Sequence, residues 1–81
     1  MAKKKILKTE IELYVIDVVR DLRNKNNWSQ AVLATKLDVS TGFIGKVESS
    51  NSTSKYNLNH INKLAEIFNC SPKTFLPNKK L

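Results

Sequence analysis

Residues 29–48 read SQAVLATKLDVSTGFIGKVE, two short helical patterns joined by a turn of about four residues. Leu33, Ala34, Leu37, Val39, Ile44 and Val47 fall at spacings that bury one face of each helix against the other. Ser29 can cap the first helix by accepting from a backbone N–H of the next turn, but Val32 stands where a full capping box needs Glu or Gln. Asp38 falls where the turn calls for a left-handed backbone, which Asp tolerates better than most residues, and Ser40 can cap the second helix. Thr41, Gly42, Phe43, Gly45 and Lys46 are left on the outer side of that second helix.

The flanks extend the helical pattern. Ile11, Val15, Val18, Val19 and Leu22 recur on one side of residues 9–25, with Glu10, Glu12, Asp17, Asp21 and Lys25 mostly on the other. Tyr14-Val15-Ile16 and Val18-Val19 are β-formers, and Ile11-Leu13-Val15 also fits a strand's alternation. The run is nevertheless too long for an ordinary strand and lacks Gly and Pro, which favours a helix. Residues 49–55 are polar and aperiodic, hence a loop. Asn57 can cap a further helix whose buried stripe is Leu58, Ile61, Leu64, Ala65 and Phe68, with Asn59, His60, Asn62 and Lys63 outside. Asn69 ends it. Ser71-Pro72 then opens a short last helix closed by Phe75 and Leu76. The fold expected is all-α, a compact bundle of about five short helices with a helix-turn-helix. Residues 1–9, with Lys3, Lys4, Lys5 and Lys8, read as a mobile basic arm; 10–77 form the domain and 78–81 a short basic tail.

Within 81 residues there is room for one small core. Fourteen Lys and Arg against seven Asp and Glu give a net charge of +7, which favours an anionic partner without by itself separating DNA from RNA, a membrane surface or an acidic protein. A single cysteine, Cys70, excludes an internal disulfide. The N-terminal lysines are not followed by an apolar run of signal-peptide length, and no segment is apolar enough to span a membrane, so a cytoplasmic location is expected.

Several motifs appear in a recognisable order: Val19-x-x-Leu22-Arg23; Trp28-Ser29-Gln30-x-x-Leu33-Ala34-x-x-Leu37-x-Val39-Ser40; Ile44-x-x-Val47-Glu48; and Leu58-x-x-Ile61-x-x-Leu64-Ala65-x-x-Phe68-x-Cys70-Ser71. Over residues 15–77 the chain resembles the lambda-repressor-like DNA-binding domain, the Cro/CI or xenobiotic-response-element helix-turn-helix family. The resemblance implies that Gln30 clamps a phosphate, which suits the partial positive charge and unpaired N–H groups of a helix N-terminus. It places Ser40 at a phosphate and Thr41, Gly42 and Lys46 at base-reading positions of a recognition helix; Lys46 can donate to guanine O6 or N7. Phe43 has two readings, pressing a thymine methyl or a sugar, or packing against the following loop. Ser49, Asn51, Ser54, Lys55 and Tyr56 are expected at the DNA backbone. Arg23 and Glu48 correspond to a family ion pair joining the first helix to the recognition helix. Gly42 and Gly45 replace longer side chains of many relatives, which leaves few groups for direct readout and shifts selectivity toward DNA shape and the arm lysines Lys3, Lys4 and Lys5.

No catalytic residues, metal ligands or cofactor site are expected, because the chain has one histidine, one cysteine and no carboxylate cluster or phosphate-binding glycine loop. Trp28 and Cys70 read as packing residues. The reading favoured is a double-stranded-DNA-binding transcriptional regulator, a repressor, acting as a homodimer on a palindromic site through the helix of residues 41–49. The competing reading is an antitoxin or adaptor that uses the same fold to bind a protein partner. The apolar residues near Phe75 and Leu76 are the sequence's suggestion for a dimer surface.

Overall fold

The computed structural model describes residues 7–81. Four α-helices follow one another as α1 (Glu10–Lys25), α2 (Gln30–Leu37), α3 (Thr41–Glu48) and α4 (Leu58–Ile67), and a 3-10 turn at Pro72–Phe75 completes the order. No strand occurs among the described residues. The chain is an all-α bundle, with the last expected helix reduced to that single turn.

The helix boundaries follow from local chemistry. Thr9 caps α1 in a capping box: its hydroxyl accepts from the Glu12 N–H while the Glu12 carboxylate accepts from the Thr9 N–H. Ser29 accepts from Val32 N–H and Ser40 from Phe43 N–H, so α2 and α3 begin where a serine satisfies a first-turn donor. Between them Asp38 adopts φ 62°, ψ 46°, the left-handed residue that reverses the chain. Asn27 (φ 57°) and Asn69 (φ 54°) make the corresponding reversals after α1 and α4. The cap of α4 is reciprocal: Asn57 Oδ1 accepts from His60 N–H at 2.8 Å, and His60 Nδ1 accepts from Asn57 N–H at 3.0 Å.

Val19, Leu33, Ile44, Val47, Leu64 and Phe75 are fully enclosed at the centre, each contributing about 1.5–3 kcal/mol by leaving water. Trp28 stacks on Phe68 with ring centroids 5.2 Å apart, and the Lys36 ammonium lies 4.6 Å from the Trp28 ring centre, so Trp28 is a packing anchor. Cys70 is partly buried against the same core.

Three expectations of position are corrected. Leu58 is 81% exposed although helical spacing puts it on the stripe of Ile61, Leu64 and Ala65, because as the first residue of α4 it projects past the edge of the core. Phe75 is fully enclosed and cannot form part of a dimer surface, whereas its neighbour Leu76 is exposed. Lys8 is buried, not part of a mobile arm. Its bonds belong to the site.

Candidate nucleic-acid interface

The helix-turn-helix is formed by α2 and α3, packed through Leu33, Ala34, Leu37, Ile44 and Val47. A serine cap satisfies one donor in the first turn of each helix, and the opening N–H groups of the turn have no intrahelical acceptor. At α2 these belong to Gln30 and Ala31, and at α3 to Thr41 and Gly42. Two helix N-termini with such donors and the positive end of the peptide dipoles suit phosphate oxygens. Ser40, Thr41, Gly42 and Lys46 are exposed along α3, and Gly45 is half-buried. The expected interface face of α3 therefore carries a short hydroxyl pair, two glycines and one lysine.

What lies behind α3 is ionic. Glu48, with 7% of its side chain exposed, receives a bidentate Arg23 guanidinium: Nη2 to Oε1 at 2.8 Å and Nε to Oε2 at 3.0 Å. Arg23 also donates to the Trp28 carbonyl at 2.9 Å, which ties the same guanidinium to the loop entering α2. Gln30 Nε2 adds a bond to Glu48 Oε1 at 3.1 Å. Burial alone would raise the Glu48 pKa, but the Arg23 and Gln30 bonds together with the charges of Arg23 and Arg20 outweigh it and hold the carboxyl below its ordinary value. The result is one anchored carboxylate linking α1, the start of α2 and the end of α3.

The backbone at the end of α3 is held by cations. Arg20 Nη2 donates to the Glu48 carbonyl at 2.9 Å. Lys8 Nζ donates to the carbonyls of Val47 at 2.6 Å, Ser49 at 2.7 Å and Lys46 at 3.3 Å. A helix leaves its last carbonyls without intrahelical partners and carries partial negative charge there. Arg20 and Lys8 meet both needs. Burial, and then the repulsion of Arg20, lower the Lys8 pKa, with Glu12 opposing.

The remaining expected contacts divide. Tyr56 is buried, and its hydroxyl is enclosed without a hydrogen-bond partner, so it does not reach toward a phosphate; the ring fills space beside Phe43 and His60. Burial raises its pKa strongly. Phe43 is half-buried, 5.3 Å from the His60 ring and 6.4 Å from the Tyr56 ring, an arrangement that packs it against the segment after α3. Gln30 points its amide N–H at Glu48, leaving its backbone N–H as the group at the helix start. Ser49 Oγ accepts from Asn51 N–H, Asn51 itself is exposed, and Lys55 pairs with Glu12 at 2.6 Å. Lys3, Lys4 and Lys5 lie outside the described residues. Sequence reasoning missed Lys8 and Arg20. No local pattern marks Lys8, and the only local signal at Arg20 is its i,i+3 spacing from Asp17 in α1.

A family model described as helix-turn-helix matches residues 19–75, from the middle of α1 to the 3-10 turn. No curated protein and no solved structure matches the chain. The matched span takes in the paired helices, Arg20, Arg23 and Glu48, and defines a DNA-binding regulatory domain, a class without enzymatic activity. The chain belongs to the helix-turn-helix family of the Cro/CI, xenobiotic-response-element type. Lys8 lies outside the matched span. No helix among the described residues is long and apolar enough to cross a membrane, and none of their side chains cluster as a metal site.

Proposed function

We propose that the chain is a sequence-specific transcriptional repressor that binds double-stranded DNA by laying α3 in the major groove. The observation that carries this reading is the combination of two serine-capped helix N-termini with a small-residue outer face on α3, held from behind by Arg23 and Glu48. Thr41 and Gly42 meet base edges at the start of α3. Lys46 donates to a guanine or to a phosphate, and Ser40, Ser49, Asn51, Lys55 and the backbone N–H of Gln30 serve the DNA backbone. The arm lysines Lys3, Lys4 and Lys5 add charge, and a net +7 suits the partner. Blocking polymerase needs no more than occupancy of the site, which favours repression.

We further propose a two-fold homodimer on a palindromic site, with Ile11, Leu58 and Leu76 facing the second copy. They line one shallow groove and are 45%, 81% and 41% exposed. Leu58→Ser then lowers the dimer fraction in sedimentation without loss of helicity; an unchanged dimer places the interface elsewhere.

The test of DNA binding is its salt dependence. Three or four phosphates per subunit in a dimer give a log-log slope of about −5 to −7, at roughly 0.9 per phosphate. A slope near zero on duplex, with tight binding to an acidic protein, would instead support the antitoxin or adaptor reading.

A further inference from the structure

We propose that Lys8 is a positioning residue of the DNA interface, a buried ammonium that fixes the C-terminal end of α3 and so the angle at which α3 meets the groove. The inference rests on the DNA-binding reading above. An ammonium has three donors, and three carbonyls surround this one, those of Lys46, Val47 and Ser49. The residue is 7% exposed. A lysine is rarely buried unless it is fully bonded, because an unbonded buried charge is strongly unfavourable. The bonds span 38 to 41 positions of sequence, so the segment preceding α1 closes directly onto the end of the recognition helix.

The arrangement differs from the Arg23–Glu48 bridge in what it holds. Glu48 is gripped through its side chain, which leaves the carbonyls of the last turn to be satisfied separately. Arg20 takes that of Glu48, and Lys8 takes those on either side, Val47 and Ser49. One residue further back, Lys46 gives its carbonyl to Lys8 while its side chain is exposed on the face assigned to bases. Rotating the last turn of α3 therefore moves Lys46, and Lys8 opposes that rotation. With only eight residues in α3, two of them glycine, the helix has little rigidity of its own and depends on both ends being held.

The test uses the full chain with Lys8→Met, which keeps the apolar stem, Lys8→Gln, which keeps part of the donor set, and Lys8→Arg, which restores charge and donors. Lys73→Gln, at an exposed residue outside the interface, controls for the loss of one positive charge. Affinity is measured at a temperature where each variant is folded, for the duplex recovered by selection from a random pool and for a scrambled duplex of equal length. The expected result for Lys8→Met and Lys8→Gln is at least a tenfold fall in the ratio of the two affinities. Affinity for the scrambled duplex changes no more than with Lys73→Gln, and Lys8→Arg recovers most of the ratio. Exchange of the α3 terminal amides quickens in parallel. A preserved ratio with faster exchange overturns the proposal and leaves Lys8 a structural cap. Should none of the variants fold, the wild-type ammonium resonance gives the answer: a shift with the selected duplex and none with the scrambled one supports positioning, and equal response to both overturns it. Wild-type protein that distinguishes no duplex overturns the DNA reading itself, a failure recognisable before any variant is made.

Discussion

Replacing Glu48 with alanine is the most informative single perturbation of the framework behind α3. The change removes the acceptor of two Arg23 bonds and one Gln30 bond and a counter-charge of Arg20, whose Nε lies 3.7 Å away. Arg23, only 12% of whose side chain is exposed, is then left as a buried cation with the Trp28 carbonyl as its remaining partner. Stranding one member of a buried pair costs about 3–5 kcal/mol. A domain of 81 residues has about 4–12 kcal/mol in all, so the variant becomes marginal. At about 4–8 °C per kcal/mol for a domain of this size, the melting temperature should fall by more than roughly 10 °C. The assay is thermal unfolding followed by circular dichroism on Glu48→Ala, Arg23→Ala and the double variant. Because the second substitution removes the stranded charge, the double variant should be more stable than the sum of the single losses by about 2 kcal/mol. The pH profile gives a second reading. The folded carboxyl titrates below its unfolded value, so its stabilisation is present above about pH 4.3 and is lost as pH falls through the depressed folded value. Glu48→Gln should lack that acid-limb component. A loss under about 1 kcal/mol, or strict additivity in the double variant, would refute the reasoning.

Three further outcomes follow from the geometry. A β-carbon at Gly42 or Gly45 would meet only ordinary contacts, at 3.9 Å from Ser40 Oγ and 3.7 Å from Gln30 Oε1, so Gly42→Ala and Gly45→Ala should each raise the melting temperature, by up to about 1 kcal/mol of stability. Weaker binding to duplex at Gly42→Ala would then show close approach of the backbone to the groove, and unchanged binding would remove that role. His60 is the chain's one histidine, and burial lowers its pKa. Its neutral form is favoured by folding, so stability should be full above about pH 6.5 and decline as pH falls from there toward the lowered folded value. His60→Gln, which keeps an acceptor for the Asn57 N–H, should flatten that part of the unfolding profile; an identical decline would assign it to another group. Lys46→Ala should weaken duplex binding and reduce the salt slope by about 1 while leaving the melting temperature nearly unchanged, and a loss of several degrees would contradict the exposed position of its side chain.

Much of the fold was legible because its boundaries are set by residues whose chemistry is local. Ser29, Ser40, Asn57 and Ser71 each accept a nearby backbone N–H, and Asp38 takes the left-handed conformation, so the sequence marks where helices begin and where α2 must turn into α3. Periodicity located Leu33, Ile44 and Leu64 in the core. It failed at Leu58, where helical spacing continues beyond the last neighbouring element. It was silent at Tyr56, a lone aromatic in a polar loop whose burial depends on Phe43 and His60 from two different helices. In the candidate site, Arg23 and Glu48 were read through family resemblance, and nothing local in the chain marks that pair, since its members are 25 positions apart. Lys8 carried no such signal. It sits among lysines that look alike in sequence, and its role is set only by the arrival of the α3 carbonyls.

Selection of bound sequences from a randomised duplex pool at near-physiological salt, followed by sequencing, tests most directly whether α3 reads DNA. Enrichment of a palindrome with half-sites about 10 base pairs apart is the predicted result for a dimer presenting two such helices. Recovery of no preferred sequence by the folded protein would contradict sequence-specific recognition and turn the search to a protein partner.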